Sequence, residues 1–315
     1  MILVTGSTGY IGSQITKYFD NNGVKYVGID DFRHSSSKNI SNKKKFIKTG
    51  FNNSAIVNKI IHKYKIETII HCAASSYVLE GEIKKKQYLQ NNYKNTKKFI
   101  DLCEKSLINN FIFMSSSNVY SDSSKAYSEK DKKKPKNIYG KSKLKIEKHL
   151  QKKKFKNTII LRLFNIVGLA NKFITTNKIN KKYQRLINNL FNTNSKKNLS
   201  IRYKNNKNRL IYPSRDFLDI RDLLVLIKKI ITSLNKKKLN NIIVNVGSGK
   251  SIAINNIIYI CNKKFNFNIN PTFVKIDNKE IMITKANIKK VNKIFKWKPK
   301  VSLLNSLKSY KKYLR

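Results

Sequence analysis

A tyrosine and a lysine lie four residues apart in the segment Tyr139-Gly140-Lys141-Ser142-Lys143. On a helix, this spacing places both side chains on one face. A phenol with its ordinary pKa near 10 is a poor base at neutral pH. Lowering that pKa by about 3 units takes roughly 4 kcal/mol, which a neighbouring ammonium can help to supply. The pair is therefore a candidate general base. Because the pattern is common in a chain rich in Lys and Tyr, its position after the fifth predicted strand matters most.

A second candidate group is the serine run that comes after the apolar residues 111–114. Hydroxyl groups at the carboxyl end of a parallel strand lie where ligands bind in open α/β sheets. The serines at 115–117 are thus candidate hydrogen-bond partners for a substrate. The alternative is an ordinary serine-rich turn.

A glycine-rich loop, G-x-x-G-x-x-G, spans Gly6, Gly9 and Gly12 and stands between a predicted strand and a predicted helix. In that context, the glycines let the backbone approach a pyrophosphate, and the helix N-terminus favours its charge. Asp30 ends the next strand, where a carboxylate binds ribose hydroxyls and repels a 2′-phosphate. The pattern predicts NAD rather than NADP. The alternatives are an ordinary tight turn and a strand-end cap.

These residues need a scaffold, and the alternation of apolar runs predicts one. Strands are expected at residues 2–5, 24–29, 45–48, 66–71, 111–114 and 158–163, and helices at 10–22, 53–64, 84–107 and 139–151. Gly23 is a suitable stop for the first helix. Strands that alternate with helices indicate an α/β fold with a Rossmann-type, doubly wound parallel sheet.

The regular alternation of predicted strands and helices ends after residue 164, where an Asn- and Lys-rich stretch runs to about 208. Beyond it we expect helices at 219–234, 287–295 and 303–314 and a strand at 241–246. We therefore predict an NAD-binding domain over 1–163, to which 216–246 returns. Residues 164–215 and 247–315 would form a smaller mixed α/β lobe.

The net charge of +50 comes from 67 Lys+Arg against 17 Asp+Glu. Such a charge is compatible with a nucleic-acid or anionic-membrane surface. However, only eight of the basic residues are arginines, and the lysines are spread from end to end among many Asn and Ile. All three residue types have A/T-rich codons, so codon bias explains the charge better than a nucleic-acid partner does.

Three cysteines, Cys72, Cys103 and Cys261, are widely spaced and form no C-x-x-C pair. Reduced thiols in a cytoplasmic protein are the default interpretation. The apolar start at residues 1–4 is far too short for a signal peptide or a membrane span. We expect a cytoplasmic enzyme, with no membrane partner and no metal site.

Taken together, the motifs resemble the extended short-chain dehydrogenase/reductase family, in its nucleotide-sugar epimerase and dehydratase branch and closest to the UDP-sugar 4-epimerases. The matching segments occur in the family order: VTGSTGYIGS, IIHCAA, a stretch ending in N-N-x-x-x-T, FIFMSSSNVYSD, IYGKSKLKIEKHL, LRLFNIVG, SRDFLDIRDL, VNVGSGKSI and FKWKPKVSL. The resemblance covers nearly the whole chain.

The resemblance implies a role for each matching residue. Tyr139 would be the base, Lys143 its partner and Ser116 the hydrogen-bond donor to the sugar O4. Asn165 and Arg215 would bind the nucleotide sugar, and Arg215 would grip its diphosphate. The cofactor NAD would be held by Gly6, Gly9, Tyr10, Ile11, Gly12, Asp30, Ala73, Asn92 and Lys143. A homodimer built from the helices at 84–107 and 139–151 is also implied.

The resemblance implies epimerisation at C4 through a transient 4-keto sugar, in galactose metabolism or polysaccharide biosynthesis. Family dehydratases carry acidic residues directly after the catalytic hydroxyl, where this chain has Ser117 and Asn118. The alternatives are a nucleotide-sugar reductase, a dehydratase, an epimerase of another sugar, and a non-catalytic NAD- or nucleic-acid-binding protein.

The chain also departs from the family pattern. Gly50 replaces an adenine-contacting Asp, Ser121 replaces a glycine, and only Lys275 and Lys279 stand where a phosphate-binding arginine is usual.

Overall fold

The computed structural model describes residues 1–121, 123, 125–174, 186–191, 199–206, 209–234, 236, 239–275 and 281–314. Its main sheet contains seven parallel strands. In chain order they are β1 Ile2–Thr5, β2 Tyr26–Asp30, β3 Phe46–Lys48, β4 Thr68–His71, β5 Asn110–Ser116, β6 Asn157–Leu163 and β11 Ile242–Val246. They lie side by side in the order β11-β6-β5-β4-β1-β2-β3.

This order reverses direction at β1, which lies between β2 and β4. Such a switch point creates a crevice at the carboxyl ends of the strands, where open α/β sheets bind ligands. The Rossmann-type fold predicted from the sequence is confirmed.

Helices cover both faces of the main sheet. Its helices are α1 Tyr10–Asn21, α2 Ser54–Lys63, α3 Val78–Ile83, α4 Lys85–Tyr88, α5 Thr96–Lys105, α6 Ile138–Leu150, α8 Ile220–Leu234 and α10 Lys289–Phe295. One core packs α1, α8 and α10 against the sheet, and a second core packs α2, α5 and α6 against its other face. Strands buried on both faces explain the continuous apolar runs in the sequence.

A smaller part of the chain forms two three-stranded sheets. Its strands are β7 Asn165–Val167, β8 Ser200–Asn206, β9 Arg209–Ile211, β10 Ser214–Asp219, β12 Ser251–Ala253 and β13 Thr272–Lys275. They are ordered β12-β10-β7 and β13-β8-β9. The helices α7 Leu186–Phe191, α9 Ile254–Phe265 and α11 Leu303–Tyr313 contribute to a third apolar core here.

The long helix predicted at 84–107 is present, since the chain is helical from Lys85 to Lys105. It is not uniform, because a π-helical segment, Leu89–Asn95, lies between α4 and α5. The preceding helix α3 was not predicted. A π-helical turn takes an extra residue and is frequent at functional sites. Eight further elements were not predicted from the sequence, namely β7, β8, β9, β10, β12, β13, α7 and α9.

The division of the chain into two lobes stays a prediction. Within the segment 216–246, β11 joins the main sheet, whereas residues 216–219 belong to β10 and pair with β7 and β12. The connection between the two parts therefore lies inside that segment, close to residue 220.

Candidate active site

The glycine-rich loop turns sharply between β1 and α1. Gly6 has a φ of +66° and approaches the backbone of Ala73 so closely that a Cβ would lie 2.8 Å from its Cα. A Cβ on Gly12 would lie only 2.0 Å from the carbonyl oxygen of Gly6. The helix α1 begins without a side-chain cap or an acidic residue in its first turn. A close backbone approach and an uncapped helix N-terminus fit a pyrophosphate.

Tyr10 and Ile11 begin that helix. The Tyr10 hydroxyl donates a hydrogen bond to the carbonyl oxygen of Gly168 at 2.6 Å, and the Ile11 side chain packs against the apolar core. Both side chains are therefore engaged within the protein. Any contact with a cofactor would come from their backbone at the helix start.

Asp30 closes the other side of the loop. Its carboxylate accepts hydrogen bonds from the Thr8 backbone N–H at 3.1 Å, the Phe32 N–H at 2.8 Å and the Ser35 hydroxyl at 2.9 Å. The Thr8 and Ser35 hydroxyls are themselves 2.7 Å apart. Asp30 thus ties the end of β2 to the glycine-rich loop, and its binding of ribose remains a prediction.

Gly50 lies next to this edge of the site. A Cβ there would lie 2.4 Å from Oδ1 of Asn52 and 3.2 Å from Oδ2 of Asp31. The space that a family Asp would use is therefore occupied by two polar side chains of this chain. That explains why a glycine is accommodated at position 50.

Asn92 lies in the π-helical segment and is buried. Its side-chain oxygen accepts from the Ser75 N–H and its amide donates to the Ser75 carbonyl, both at 2.8 Å. The pair of bonds clamps the loop after β4. Ala73, two residues earlier in that loop, donates its N–H to the Thr5 hydroxyl at 3.4 Å. Asn92 therefore shapes the wall of the predicted cofactor site.

The helix α6 begins beside the end of β5. Its first turn is capped by Asn137, whose side-chain oxygen accepts from the Gly140 N–H at 2.8 Å, and by Glu82, which accepts from the Ile138 N–H at 2.7 Å. A Cβ on Gly140 would lie 2.1 Å from the carbonyl oxygen of Asn118. Glycine is needed here because the helix backbone touches the segment just after Ser116.

Lys143 connects that helix to the strand. Its buried ammonium donates a hydrogen bond to the carbonyl oxygen of Met114 at 2.7 Å. The same ammonium is 5.7 Å from the centre of the Tyr139 ring. Burial lowers the pKa of Lys143 to about 8, although Cys72 and Glu147 act in the opposite direction. The ammonium is therefore charged at neutral pH and close to its titration.

Ser116 lies at the last position of β5 and is buried. Its hydroxyl oxygen accepts hydrogen bonds from the backbone N–H of Asn118 at 3.2 Å and from its side-chain amide at 3.1 Å. Lys143 bonds the carbonyl of Met114, which lies two residues before Ser116. Gly140 contacts Asn118, which lies two residues after it. The structure thus brings the end of β5 and the start of α6 together around this hydroxyl.

Two residues next to this site, His71 and Cys72, were given no role in the site from the sequence. His71 ends β4, with Nδ1 2.8 Å from the Thr5 hydroxyl, and burial together with the Lys143 charge lowers its pKa to about 3. Burial raises the pKa of the adjacent Cys72 thiol to about 12. Both groups stay neutral near pH 7. Their place at the end of β4, in the matching segment IIHCAA, was the available signal.

Asn165 and Arg215 lie on neighbouring strands of the smaller sheet. Asn165 starts β7 and pairs with Phe217 of β10, two residues beyond Arg215. The Arg215 guanidinium donates to the carbonyl oxygens of Ser214 at 3.1 Å and Met282 at 3.2 Å. Lys275 ends the exposed strand β13, and Lys279 lies outside the described residues. The roles of these residues toward a nucleotide sugar remain predictions.

Two absences concern only the described part of the chain. No group of three or more His, Cys, Asp or Glu residues there is arranged to hold a metal ion. No described helix is long and apolar enough to cross a membrane.

A family model described as the NAD dependent epimerase/dehydratase family matches residues 2–247, which include the glycine-rich loop and all three candidate catalytic residues. This chain belongs to that family. The predicted family membership is confirmed, and the predicted cofactor, NAD, is the one for which the family is described.

Two curated relatives of this family member are epimerases. A UDP-glucose 4-epimerase from Haemophilus influenzae is 34% identical over 181 residues, which cover 53% of each chain. An ADP-L-glycero-D-manno-heptose-6-epimerase from Brachyspira hyodysenteriae is 31% identical over 179 residues, covering 53% of this chain and 55% of the relative. The chain spans about half the length of these curated relatives.

A solved structure matches almost end to end. It is the UDP-glucuronic acid 4-epimerase from Bacillus cereus in complex with UDP-glucuronic acid and NAD, with a TM-score of 0.82 and 25% identity over 99% of this chain and 98% of the other. The fold of this family member is therefore epimerase-like throughout.

Proposed function

We propose that this chain interconverts two UDP-sugars that differ in configuration at C4, of the UDP-glucose and UDP-galactose type. The observation that carries the proposal is the placement of Tyr139 and Lys143 on α6, with the Lys143 ammonium bonded to Met114 beside Ser116. A phenol, an ammonium and a hydroxyl at the crevice of a Rossmann-type sheet suit oxidation and reduction of a sugar alcohol.

Tyr139, Ser116 and Lys143 each have a separate role in the reaction. Tyr139, as phenolate, takes the proton of the sugar C4 hydroxyl, and Ser116 donates a hydrogen bond to O4. Lys143 keeps its charge near the phenol and so favours the phenolate. NAD, held at the glycine-rich loop between β1 and α1, would supply the redox chemistry at C4. After the 4-keto sugar has turned over, so that C4 is reduced on its opposite face, Tyr139 gives its proton back to O4.

Dehydration is disfavoured by the two residues directly after Ser116. Elimination of a hydroxyl needs a further acid or base near the sugar. Here Ser117 and Asn118 take those positions, and neither carries a carboxylate. The Asn118 side chain donates to Ser116 and accepts from the Asn137 amide at 3.1 Å. Asn118 thus orients the serine and holds the start of α6.

A second candidate is epimerisation of a different nucleotide sugar. The relatives include an ADP-heptose 6-epimerase and a UDP-glucuronic acid 4-epimerase, so the family scaffold serves more than one sugar. In this chain, the Arg215 guanidinium bonds two backbone carbonyls. Lys275 would bind a phosphate only as a point charge.

Proton NMR of UDP-galactose with the purified protein and a trace of NAD tests the proposal. We expect the anomeric signal of UDP-glucose to appear without net reduction of the cofactor. Accumulation of reduced NAD or of a dehydrated sugar would contradict it. If UDP-galactose is unchanged but UDP-glucuronic or UDP-galacturonic acid is converted, the second candidate is correct.

A further inference from the structure

The candidate catalytic groups come from two elements that are distant in the sequence. Ser116 ends β5, whereas Tyr139 and Lys143 lie on α6. The bond from Lys143 to the Met114 carbonyl joins the two elements, but it uses a catalytic side chain. We call a contact between β5 and α6 a joint. A joint that uses no catalytic side chain has to come from another residue.

Glu147 forms such a joint one helical turn beyond Lys143. Its carboxylate Oε1 accepts a hydrogen bond from the hydroxyl of Ser115, the residue directly before Ser116. Ser115 and Glu147 are 2% and 1% exposed, so the bond is shielded from water. Such a buried, charge-assisted hydrogen bond is stronger than a neutral one.

Arg162 holds the same carboxylate from the neighbouring strand. Its Nε lies 3.1 and 3.2 Å from the two carboxylate oxygens of Glu147, and its Nη2 lies 2.7 Å from Oε2. In the sheet, Arg162 of β6 is the direct partner of Ser115 of β5. One carboxylate on α6 is therefore fastened to two adjacent strands at the level of the catalytic serine.

We infer that Glu147 is a positioning residue that fixes Ser116 of β5 relative to Tyr139 and Lys143 of α6, a role that rests on the proposed C4 epimerisation. It touches neither sugar nor cofactor in this role. It acts by setting the distance between the elements that do. A small misplacement of reacting groups costs about a hundredfold in rate in the worst case, so we expect the joint to affect kcat rather than KM.

Glu147 has an electrostatic effect as well. The groups that face Lys143 are Glu147 and Tyr139 on α6, and His71 and Cys72 at the end of β4. Of these, His71 and Cys72 are neutral near pH 8. Replacing the Glu147 carboxylate by an amide should therefore make Lys143 lose its proton at a lower pH.

Ser115→Ala is the decisive variant, because it cuts the link to β5 and leaves the Glu147–Arg162 pair intact. We expect kcat to fall about tenfold, with KM and bound NAD little changed. Ser306→Ala is the matched control, since it also removes a buried hydroxyl, one bonded in the first turn of α11 to the carbonyl of the N-cap residue Ser302. A kcat for Ser115→Ala within twofold of the control would overturn the inference.

Glu147→Gln tests the charge. We expect the alkaline limb of the rate profile to move down by about one pH unit, and an unmoved limb would contradict this part of the inference. The variant leaves Arg162 buried without its anion, which destabilises the fold. If Glu147→Gln does not fold, Ser115→Ala alone decides the inference.

A readout without turnover separates this inference from the proposed function. The titration of Tyr139 is measured from the phenolate absorbance of the NAD-loaded protein. For the wild type and for Ser115→Ala, the absorbance of the same protein carrying Tyr139→Phe is subtracted, so that only Tyr139 contributes. In Ser115→Ala, the Lys143 ammonium should follow the Met114 carbonyl of β5 away from the Tyr139 ring of α6. The phenolate then loses part of its stabilisation, so we expect this titration to move to higher pH. If it moves while no UDP-sugar is converted, only the proposed function has failed. If it does not move, the positioning role is wrong.

Discussion

The Lys143 ammonium lies 5.7 Å from the centre of the Tyr139 ring and donates a 2.7 Å hydrogen bond to the Met114 carbonyl. One buried charge therefore contacts both the helix that carries the candidate base and the strand that carries Ser116. Burial of this charge costs free energy. The pKa of Lys143 is therefore lowered to about 8.

The first prediction concerns Tyr139. Tyr139→Phe removes the hydroxyl while keeping the ring, so we expect turnover to fall by about 10²–10⁴-fold, the usual cost of losing a positioned acid–base group. Bound NAD, measured after release from the denatured protein, should stay near one per chain. A rate above about 10% of the wild type would show that another group is the base.

The second prediction concerns pH. Lys143 favours the phenolate only while it is protonated, and its pKa is lowered to about 8. The rate should therefore be lost as the pH rises through about 8. Lys143→Arg is the matched control, because arginine stays charged in this range. If that variant is active, its alkaline loss should be absent. A wild-type rate that stays constant to about pH 10 would contradict the assignment.

The third prediction concerns Gly12. Gly12→Ala places a Cβ 2.0 Å from the Gly6 carbonyl oxygen, so the glycine-rich loop must move. We expect the NAD content of the purified variant to fall at least about tenfold, equivalent to about 1.4 kcal/mol of binding.

Gly23→Ala serves as its control. No atom lies within 4 Å of the Cβ that it adds, although the φ of +66° makes the change cost about 1–2 kcal/mol of stability. Its NAD content should match the wild type. Equal NAD content in both variants would show that the loop does not hold the cofactor.

The fourth prediction concerns stability in acid. His71 is neutral in the folded protein down to about pH 3, whereas in the unfolded chain it takes up a proton near its ordinary pKa. The unfolded state then binds more protons, so this residue lowers the free energy of unfolding as the pH falls from about 6.5 toward 3. Urea unfolding midpoints at about pH 7 and pH 5 measure the effect.

His71→Gln provides the comparison, since it cannot titrate. Its midpoint should fall less than the wild-type midpoint between the two pH values, even if it is lower at both. An equal fall in the two proteins would show that other groups account for the acid sensitivity.

Local patterns were enough to predict the Rossmann-type sheet. The apolar runs of β1, β4 and β5 are each buried on both faces, and their order along the chain defines the alternation. The spacing of Tyr139 and Lys143 was informative because α6 is regular throughout. Such features depend on neighbours in the sequence, which is why they could be predicted from it.

Contacts between distant segments could not be predicted in the same way. The Ser115–Glu147 bond spans 32 residues and the Asn92–Ser75 bonds span 17. The π-helical segment looked like ordinary helix because its apolar spacing is nearly helical, and the bonds of its residue Asn92 to Ser75 are visible only in the structure. Most strands of the small sheets were missed because they pair with distant segments, as β7 does with β10 and β8 does with β13.

The decisive experiment for C4 epimerisation uses UDP-galactose that carries deuterium at C4, incubated with the NAD-loaded protein in ordinary water. We predict that UDP-glucose forms with the deuterium retained at C4, since the hydride leaves and returns within one active site, and that Tyr139→Phe forms almost none. UDP-glucose that has lost its deuterium to solvent, or full conversion by Tyr139→Phe, would contradict the proposed mechanism.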